Sequence, residues 1–307
     1  MFNITSNKQF RELVQVYYPP ILVTISILGN LFVIIVYSQE RFKKLHNRNV
    51  WRLMSMVDIF CVLQIIKHFL SYAFDYQIYM ENPFLCKMVS YLSHFGAVSA
   101  WLRAYLTSEL FFSIVLVSPK TYLREFQRMI IVLIFVLNLL FYSQRFYFTT
   151  IQYTNNSNEE PYCGDNEHPY FDIFLWIDLI NSTIVPFVIM LISSVLLIFA
   201  IFRSRRRLII NGFTSATQKI LKRDIKFAIT LIALNSTFIL FNLPINVHFL
   251  VGSASDIWYS ITVNILYTSY AINFFIYFTF NSIFRKEFLN LFCSFGTKYF
   301  SISHITY

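Results

Sequence analysis

Charged side chains lie inside otherwise apolar stretches of this sequence, and those of the second and third stretches are the residues best placed to do chemistry. Asp58 and Lys67 fall in the second apolar stretch, and Arg103 and Glu109 fall in the third. A charge in apolar surroundings is costly unless an opposite charge, hydrogen bonds or water compensate it. We therefore predict that these side chains face a protein interior or a water-filled cavity, where they can pair with each other, hold an ion or contact a ligand.

The elements that position these charges are stretches long enough to cross a bilayer. Hydrophobic residues make up 56% of the 307 residues and charged residues only 13%, which is far from the composition of a soluble domain. A helix needs about 20 mostly apolar residues to cross the hydrocarbon core. The pattern predicts seven such spans, at 17–37, 50–72, 86–117, 129–149, 173–202, 226–250 and 257–281. The expected fold class is an all-α membrane protein with a seven-transmembrane helix bundle.

A second kind of helix is expected after the seventh span. Ile283, Phe284, Phe288, Leu291 and Phe292 recur at helical spacing, which predicts a short amphipathic helix lying on the inner membrane surface. The expected organisation is an extracellular N-terminus at 1–16, a transmembrane domain at 17–281, and a cytoplasmic amphipathic helix and tail at 282–307.

The distribution of charge predicts the orientation. The net charge of +9 would suggest a nucleic-acid partner in a soluble protein, but here the basic residues cluster between spans one and two, three and four, and five and six. The other loops are acidic. Under the positive-inside rule the basic loops are cytoplasmic, so the N-terminus is extracellular and the protein is a multi-pass protein of the plasma membrane. Contact with anionic membrane lipids explains the basic loops without any nucleic acid.

Glycosylation sequons agree with this orientation. Asn3 and Asn155 begin N-x-S/T sequons on the predicted outer side, where glycosylation takes place. Two further matches, at Asn181 and Asn235, lie within predicted spans and are expected to be chance.

The four cysteines fall on both predicted sides and within the membrane. Cys86 and Cys163 lie on the outer side, where an oxidising compartment would allow a disulfide between them. Cys61 lies within a span, where ordinary packing is expected. Cys293 lies on the inner face, where reversible lipidation is an open alternative.

Five polar or aromatic residues are expected near the outer half of the bundle. They are Lys67, His68, Asp178, Tyr267 and Tyr270. One interpretation is that Lys67 reaches to the membrane interface and that the tyrosines form an aromatic belt. The other is that all five line an outer ligand-binding cavity. In that case Asp178 and the acidic loops would favour a cationic ligand.

Several motifs occur in an order and at a spacing that are typical of one receptor family. They are Gly29-Asn30, LMSMVD ending at Asp58, Cys86, Pro186, FILFNLP with Phe238 and Pro244, and NFFIY from Asn273 to Tyr277. Over nearly the whole chain the sequence resembles the rhodopsin-like (class A) G-protein-coupled receptors. It is most similar to divergent invertebrate peptide receptors, such as flatworm orphan or FMRFamide-like receptors.

The resemblance implies a set of switch and G-protein coupling residues. They are Glu109, Leu110, Phe111, Asn242, Pro244, Asn273 and Tyr277. Three departures from the family pattern fall among or beside them. Leu110 replaces the arginine of span three, Asn242 the tryptophan of span six, and Phe274 the proline of span seven.

The resemblance also implies a sodium ion as the one expected cofactor. Asp58, Ser99, Ser269 and Asn273 match the positions of the family's sodium pocket. Sodium favours oxygen ligands, and a buried carboxylate needs a counter-charge. Direct pairing of Arg103 with Asp58 is the alternative, and the sequence leaves both open.

The implied partners are an extracellular peptide ligand and a heterotrimeric G protein. The upper part of span three, around Leu92 and Ser93, has no carboxylate to anchor an amine, and span seven has no lysine for retinal. A peptide is therefore the expected ligand. The G protein would dock between the inner ends of spans three, five and six.

The alternatives are an atypical or non-signalling seven-helix receptor and a small solute transporter. The odd number of spans and the lack of an internal repeat argue against the transporter. The sequence has no metal-ligand spacing, no nucleophile motif and, with six glycines in all, no phosphate-binding glycine loop. We therefore expect that the protein is not an enzyme.

Overall fold

The computed structural model describes residues 4–43, 45, 47–76, 82–116, 120–152, 162–165, 170–210, 215–251 and 256–291. These residues are mainly helical. The helices are α1 (Ile4–Glu12), α2 (Tyr18–Ser38), α3 (Arg48–Leu63), α4 (Ile65–Phe74), α5 (Pro83–Ser93), α6 (Gly96–Leu116), α7 (Lys120–Tyr142), α8 (Arg145–Phe148), α9 (Phe171–Leu179), α10 (Val185–Ile210), α11 (Ser215–Val251), α12 (Asp256–Ala271), α13 (Asn273–Phe280) and α14 (282–291). A 3₁₀ turn covers Glu40–Phe42, and the strands β1 (Thr149–Gln152) and β2 (Tyr162–Asp165) form an antiparallel hairpin.

Several helical segments have the length and composition of membrane spans. Within the described ranges, five single segments qualify, and a sixth is the pair α12 and α13, which bends by 43°. The five are Lys8–Ser38, Arg48–Phe74, Gln127–Phe148, Ile173–Arg203 and Lys222–His248. The protein is therefore an α-helical protein whose apolar helices suit a membrane, as the sequence predicted.

The third predicted span differs from the prediction of one continuous apolar helix at 86–117. The structure divides it into α5 and α6 at His94 and Phe95, where the His94 amide bonds to the Tyr91 carbonyl in a tight turn. This segment does not qualify as an apolar span. Its polar residues are buried inside the protein, as the full burial of Ser99 and Arg103 illustrates. A helix shielded by its neighbours does not need an apolar surface on every side.

Two wide π-helical turns precede prolines. Leu13–Tyr17 leads into Pro19 and Pro20, and Ile180–Ile184 leads into Pro186. Proline lacks an amide N–H and crowds the preceding turn, so the helix cannot keep its regular hydrogen bonds there. In each case the helical run continues after the widened turn.

Helical structure extends beyond the predicted spans in two places, before span one and after span five. The N-terminal segment predicted at 1–16 is helical from Ile4 and packs on α12, because Gln15 donates to the Ser260 hydroxyl and Asn264 donates to the Val14 carbonyl. The basic segment predicted to be a loop after span five is mostly helical. There α10 continues to Ile210 and α11 begins at Ser215.

Two hydrophobic clusters hold the bundle together. One cluster, which we call the inner cluster, includes Tyr37 and Trp51, whose rings stack with centroids 5.7 Å apart. The other, which we call the middle cluster, includes Leu102 and Phe238. Between helices in a bilayer, close packing rather than removal of apolar surface from water supplies the attraction.

The amphipathic helix α14 packs on the inner cluster through the face that the sequence predicted. Phe284 is fully buried, and its ring lies 5.4 Å from that of Tyr277. Ile283, Phe288 and Leu291 pack partly buried beside it. Arg285 and Lys286 are exposed on the other side of the helix, so α14 is amphipathic as predicted, and Phe292 lies outside the described residues.

The β-hairpin is tied to the bundle by a disulfide. Cys163 on β2 is bonded to Cys86 on α5, and Cys86 is fully buried. The hairpin therefore cannot move independently of α5. The predicted disulfide is present.

Candidate functional site

A cavity of about 820 Å³ opens at the end of the bundle that carries the hairpin. The elements that line it include α4, α6, α9, α11 and α12, and β2 contributes Cys163 and Gly164. The volume is within the range of about 300–1,000 Å³ typical of small-ligand pockets. The wall combines aromatic side chains with a few polar groups, as ligand sites do.

The cavity brings together the five residues that the sequence assigned to a ligand. Lys67 and His68 come from α4, Asp178 from α9, and Tyr267 and Tyr270 from α12. The alternative of a scattered aromatic belt does not describe the two tyrosines, because both are buried within the protein. Ligand binding by these residues stays a prediction.

Asp178 is engaged by basic side chains of the protein itself. Its Oδ2 atom accepts a hydrogen bond from Arg145 at 3.1 Å and lies 3.3 Å from Nδ1 of His94. Its Oδ1 atom is shielded from solvent. The expectation that Asp178 anchors a cationic ligand therefore loses its basis, since the carboxylate already has a counter-charge within the protein. His94 and Arg145 were not among the predicted site residues, although each is a basic residue within a predicted span, at 86–117 and 129–149.

Lys67 differs from Asp178 in this respect. It lines the cavity, and among the described residues it forms no ion pair or hydrogen bond. The neighbouring His68 ring packs edge-on against Tyr259, with centroids 6.0 Å apart.

A buried charge network lies beside the cavity. The Arg103 guanidinium donates to Oδ2 of Asp58 at 2.9 Å, and both side chains are fully buried. Ser99 donates to Oδ1 of Asp58 at 2.7 Å, and Asn273 donates to Oδ2 at 2.6 Å. The guanidinium carbon lies 4.6 Å from the ring centroid of Phe238, a cation–π contact. The direct pairing of Arg103 with Asp58 that the sequence left open is thus present.

The residues of the predicted sodium pocket do not fit a sodium ion in this arrangement. N–H and O–H donors, rather than free oxygen ligands, surround the carboxylate of Asp58, and Arg103 supplies the positive charge. Ser269 donates to the Leu266 carbonyl. A sodium ion would need oxygen ligands turned toward it.

Asn235 joins three helices below the network. Its side-chain amide donates to Thr107 on α6 at 2.6 Å and to Ser194 on α10 at 3.3 Å. From the sequence, Asn235 was predicted to be only a chance match to a glycosylation sequon. An amide within an apolar helix nevertheless indicates a hydrogen-bonded group, because an unpaired polar group is costly there.

The predicted switch residues of α6 lie in the second half of that helix. Glu109 accepts from Gln127 of α7 at 3.4 Å. Leu110 belongs to the inner hydrophobic cluster, and Phe111 packs against that cluster. The position where the family has an arginine is therefore an apolar contact in this chain.

The remaining switch residues lie on α11 and α13, and of these Asn242 lines the cavity. Asn242 donates to the Phe238 carbonyl at 2.7 Å, one turn before it on α11, and Pro244 lies within the same helix. Asn273 contacts Asp58, and Tyr277, one turn further, is fully buried in the inner cluster. The sequons at Asn3 and Asn155 and the thiol of Cys293 lie outside the described residues.

No protein-family model matches the chain, and no curated protein matches its sequence.

Proposed function

We propose that this protein is a seven-helix receptor of the plasma membrane that binds an extracellular ligand, a peptide, and activates heterotrimeric G proteins. The observation that carries the proposal is the connection between the cavity and the inner cluster. Phe238 lines the cavity and also contacts Arg103. Arg103 holds Asp58, and Asp58 holds Asn273, one turn from Tyr277. A ligand that changes the packing of Phe238 therefore acts on groups coupled to the inner ends of α11 and α13.

The seventh crossing of the proposal is the helix pair α5 and α6. This pair is less apolar than the others because its polar residues are buried among neighbouring helices. Seven crossings place the two termini on opposite sides of the membrane.

The orientation rests on the disulfide and on the basic residues. Disulfides persist in oxidising compartments, so the end of the bundle with Cys86 and Cys163 faces outward. Thr183, in the wide turn that leads into α10, lines the cavity, and the exposed Arg203 of α10 follows 20 residues later, about 30 Å along a helix. The basic end then faces the cytoplasm, where anionic lipids and a G protein are found.

A G-protein dissociation sensor in cells tests the signalling proposal. We expect that a panel of synthetic neuropeptides, offered as free acids and as C-terminal amides, contains peptides that release the G protein. A variant with a filled cavity, Asn246→Trp, should lose the response, because Asn246 lines the cavity. The matched control is Leu240→Trp on the same helix, since Leu240 is 66% exposed and has room for the larger ring.

Surface expression of each variant is measured by antibody binding to intact cells. A receptor that is present at the surface and silent to the whole panel would contradict the proposal. An equal response from Asn246→Trp and Leu240→Trp would contradict the role of the cavity.

The second candidate is an atypical receptor that promotes nucleotide exchange on the G protein only weakly. Leu110 favours it, because this leucine stands where the resembled receptors have an arginine. Replacing Leu110 with arginine should raise basal recruitment of a G protein several-fold. A charge in this apolar cluster costs about 2.5–3.5 kcal/mol within a membrane helix, and the cost falls when the inner ends separate and water enters. Recruitment of an engineered minimal G protein is the measurement.

The control for this change is Leu110→Met, which conserves volume and charge and should leave recruitment unchanged. If Leu110→Arg recruits no more G protein than Leu110→Met at equal surface expression, the missing arginine does not limit signalling.

A further inference from the structure

Lys67 is a half-buried charged group that lines the cavity. Among the described residues its ammonium group forms no ion pair or hydrogen bond. An ammonium ion partly withdrawn from water is stabilised by an opposite charge beside it. Something that the chain itself does not supply is therefore expected beside Lys67.

Reaching to the membrane interface does not account for this lysine. Lys67 is the third residue of α4 (Ile65–Phe74). Seven residues of the helix still follow it, which is about 10 Å at 1.5 Å per residue. Its side chain lines the cavity, so the cavity is the space into which a counter-charge can enter.

The other charged and titratable groups around the cavity do not offset this charge. Among the described lining residues the acidic and basic ones are His68, His94, Arg145 and Asp178, and the lining also holds the thiol of Cys61 and the phenols of Tyr259, Tyr267 and Tyr270. Asp178 is the one carboxylate of that set, and Arg145 and His94 hold it. Lys67 and Arg145 carry two positive charges against the single negative charge of Asp178, so these three residues leave one positive charge in excess, which is the charge of Lys67.

We infer that the cavity binds its ligand through a carboxylate that pairs with Lys67. This inference rests on the proposed role of the cavity as the ligand site, and it reverses the sign of charge that Asp178 suggested. A carboxylate fits better than a phosphate, because a single ammonium group balances one negative charge. Phosphate sites in proteins use arginine pairs or helix N-termini, and Arg145 is already engaged.

The rest of the lining indicates the body to which the carboxylate is attached. Phe238, Tyr267 and Tyr270 present aromatic surface to the cavity. Such surface favours apolar and aromatic groups. The ligand class is therefore an aromatic carboxylic acid, either the free C-terminus of a peptide that ends in an aromatic residue or a small acid.

Reductive dimethylation of the lysines with ¹³C-formaldehyde tests this pairing by NMR. The full chain is studied in nanodiscs, and the Lys67 signal is identified by its absence in Lys67→Arg. Titration with N-acetylphenylalanine should shift the Lys67 signal in a saturable manner and leave the signal of Lys8, which is exposed, unchanged. The neutral probe N-acetylphenylalaninamide should bind roughly 10- to 100-fold more weakly, since it lacks the charge-assisted hydrogen bond.

Two further probes separate the alternatives. The tripeptide acid N-acetyl-Phe-Ala-Phe is compared with N-acetylphenylalanine. Tighter binding of the tripeptide indicates a peptide C-terminus as the ligand, and tighter binding of N-acetylphenylalanine indicates a small acid. Either result supports the pairing with Lys67. N-acetylargininamide tests a cationic ligand. Equal binding of acid and amide, preferential binding of the arginine probe, or no shift of Lys67 with either acid would overturn the inference.

The unfolding temperature of a Lys67 variant, measured in the absence of ligand, provides an independent check. Lys67→Met removes an uncompensated charge, so its unfolding temperature without ligand should equal or exceed that of the wild type, and the acid should no longer raise it. Lys8→Met is the matched control and should behave as the wild type does. A lower unfolding temperature for Lys67→Met alone would show a structural partner and overturn the inference. Neither measurement involves a G protein, so failure of signalling and failure of the pairing are distinguishable.

Discussion

Replacing Arg103 with alanine is expected to lower the free energy of unfolding by about 3–5 kcal/mol, the cost of leaving a buried charge without its partner. The stranded group would be the Asp58 carboxylate, which is fully buried and loses its only cationic neighbour among the described residues. The loss of the stacking contact with Phe238 adds to this effect. Such a change is among the largest that a single substitution produces.

Thermal and denaturant unfolding in detergent measure this effect. Cys61 is a free and buried thiol, so a thiol-reactive dye reports unfolding when Cys293 is first changed to serine. Arg128→Ala is the matched control, because Arg128 is an exposed arginine of α7. Its effect should stay within about 0.5 kcal/mol.

The double variant Asp58→Asn with Arg103→Met tests whether the unpaired buried charge causes the loss of stability. A neutral pair of similar volume removes both charges together, and such replacements are often neutral or stabilising. The double variant should therefore cost less than the sum of the single variants by at least about 2 kcal/mol. Additive effects would contradict a coupled ion pair.

Replacing both Cys86 and Cys163 with serine is expected to lower the free energy of unfolding by about 4 kcal/mol. The disulfide joins residues 77 positions apart, and the closure of a loop of that length restricts the unfolded chain by about this amount. The hairpin β1–β2 would also lose its covalent tie to α5. Because Cys163 and Gly164 line the cavity, ligand binding should weaken together with stability.

Unfolding with and without a reducing agent measures the contribution of the disulfide. Reduction of the wild type should reproduce the double serine variant, and the same agent should leave that variant unchanged. If either the reduced wild type or the double serine variant were as stable as the oxidised wild type, the prediction would be contradicted.

The positions of most helices follow from the sequence alone. The length of an apolar stretch is a local property, and a helix is the only element that satisfies the backbone of such a stretch within a membrane. The span predicted at 17–37 covers nearly all of α2 (Tyr18–Ser38), although the apolar helical segment as a whole begins at Lys8. The stripe on α14 was equally readable, because its apolar residues recur at helical spacing.

The breaks within the helices required the tertiary structure. The chain leaves the helix at Gln64, at His94 and at Ile272, and none of these residues is a proline or glycine. Next to one break, a Cβ atom on Gly96 would lie 2.9 Å from the Tyr270 hydroxyl of α12. A contact between two helices so distant in sequence leaves no local signal.

For the charged residues within the spans, the sequence predicted their burial, and only the tertiary structure decided their partners. Their types and positions within apolar stretches predicted that Asp58, Lys67 and Arg103 face an interior, because an uncompensated charge in lipid is too costly. The sequence alone could not decide which charges pair. Arg103 reaches Asp58 across 45 residues, and Arg145 reaches Asp178 across 33. Only the packing of the helices brings these partners together, and it pairs Asp178 with Arg145 while no described residue pairs with Lys67.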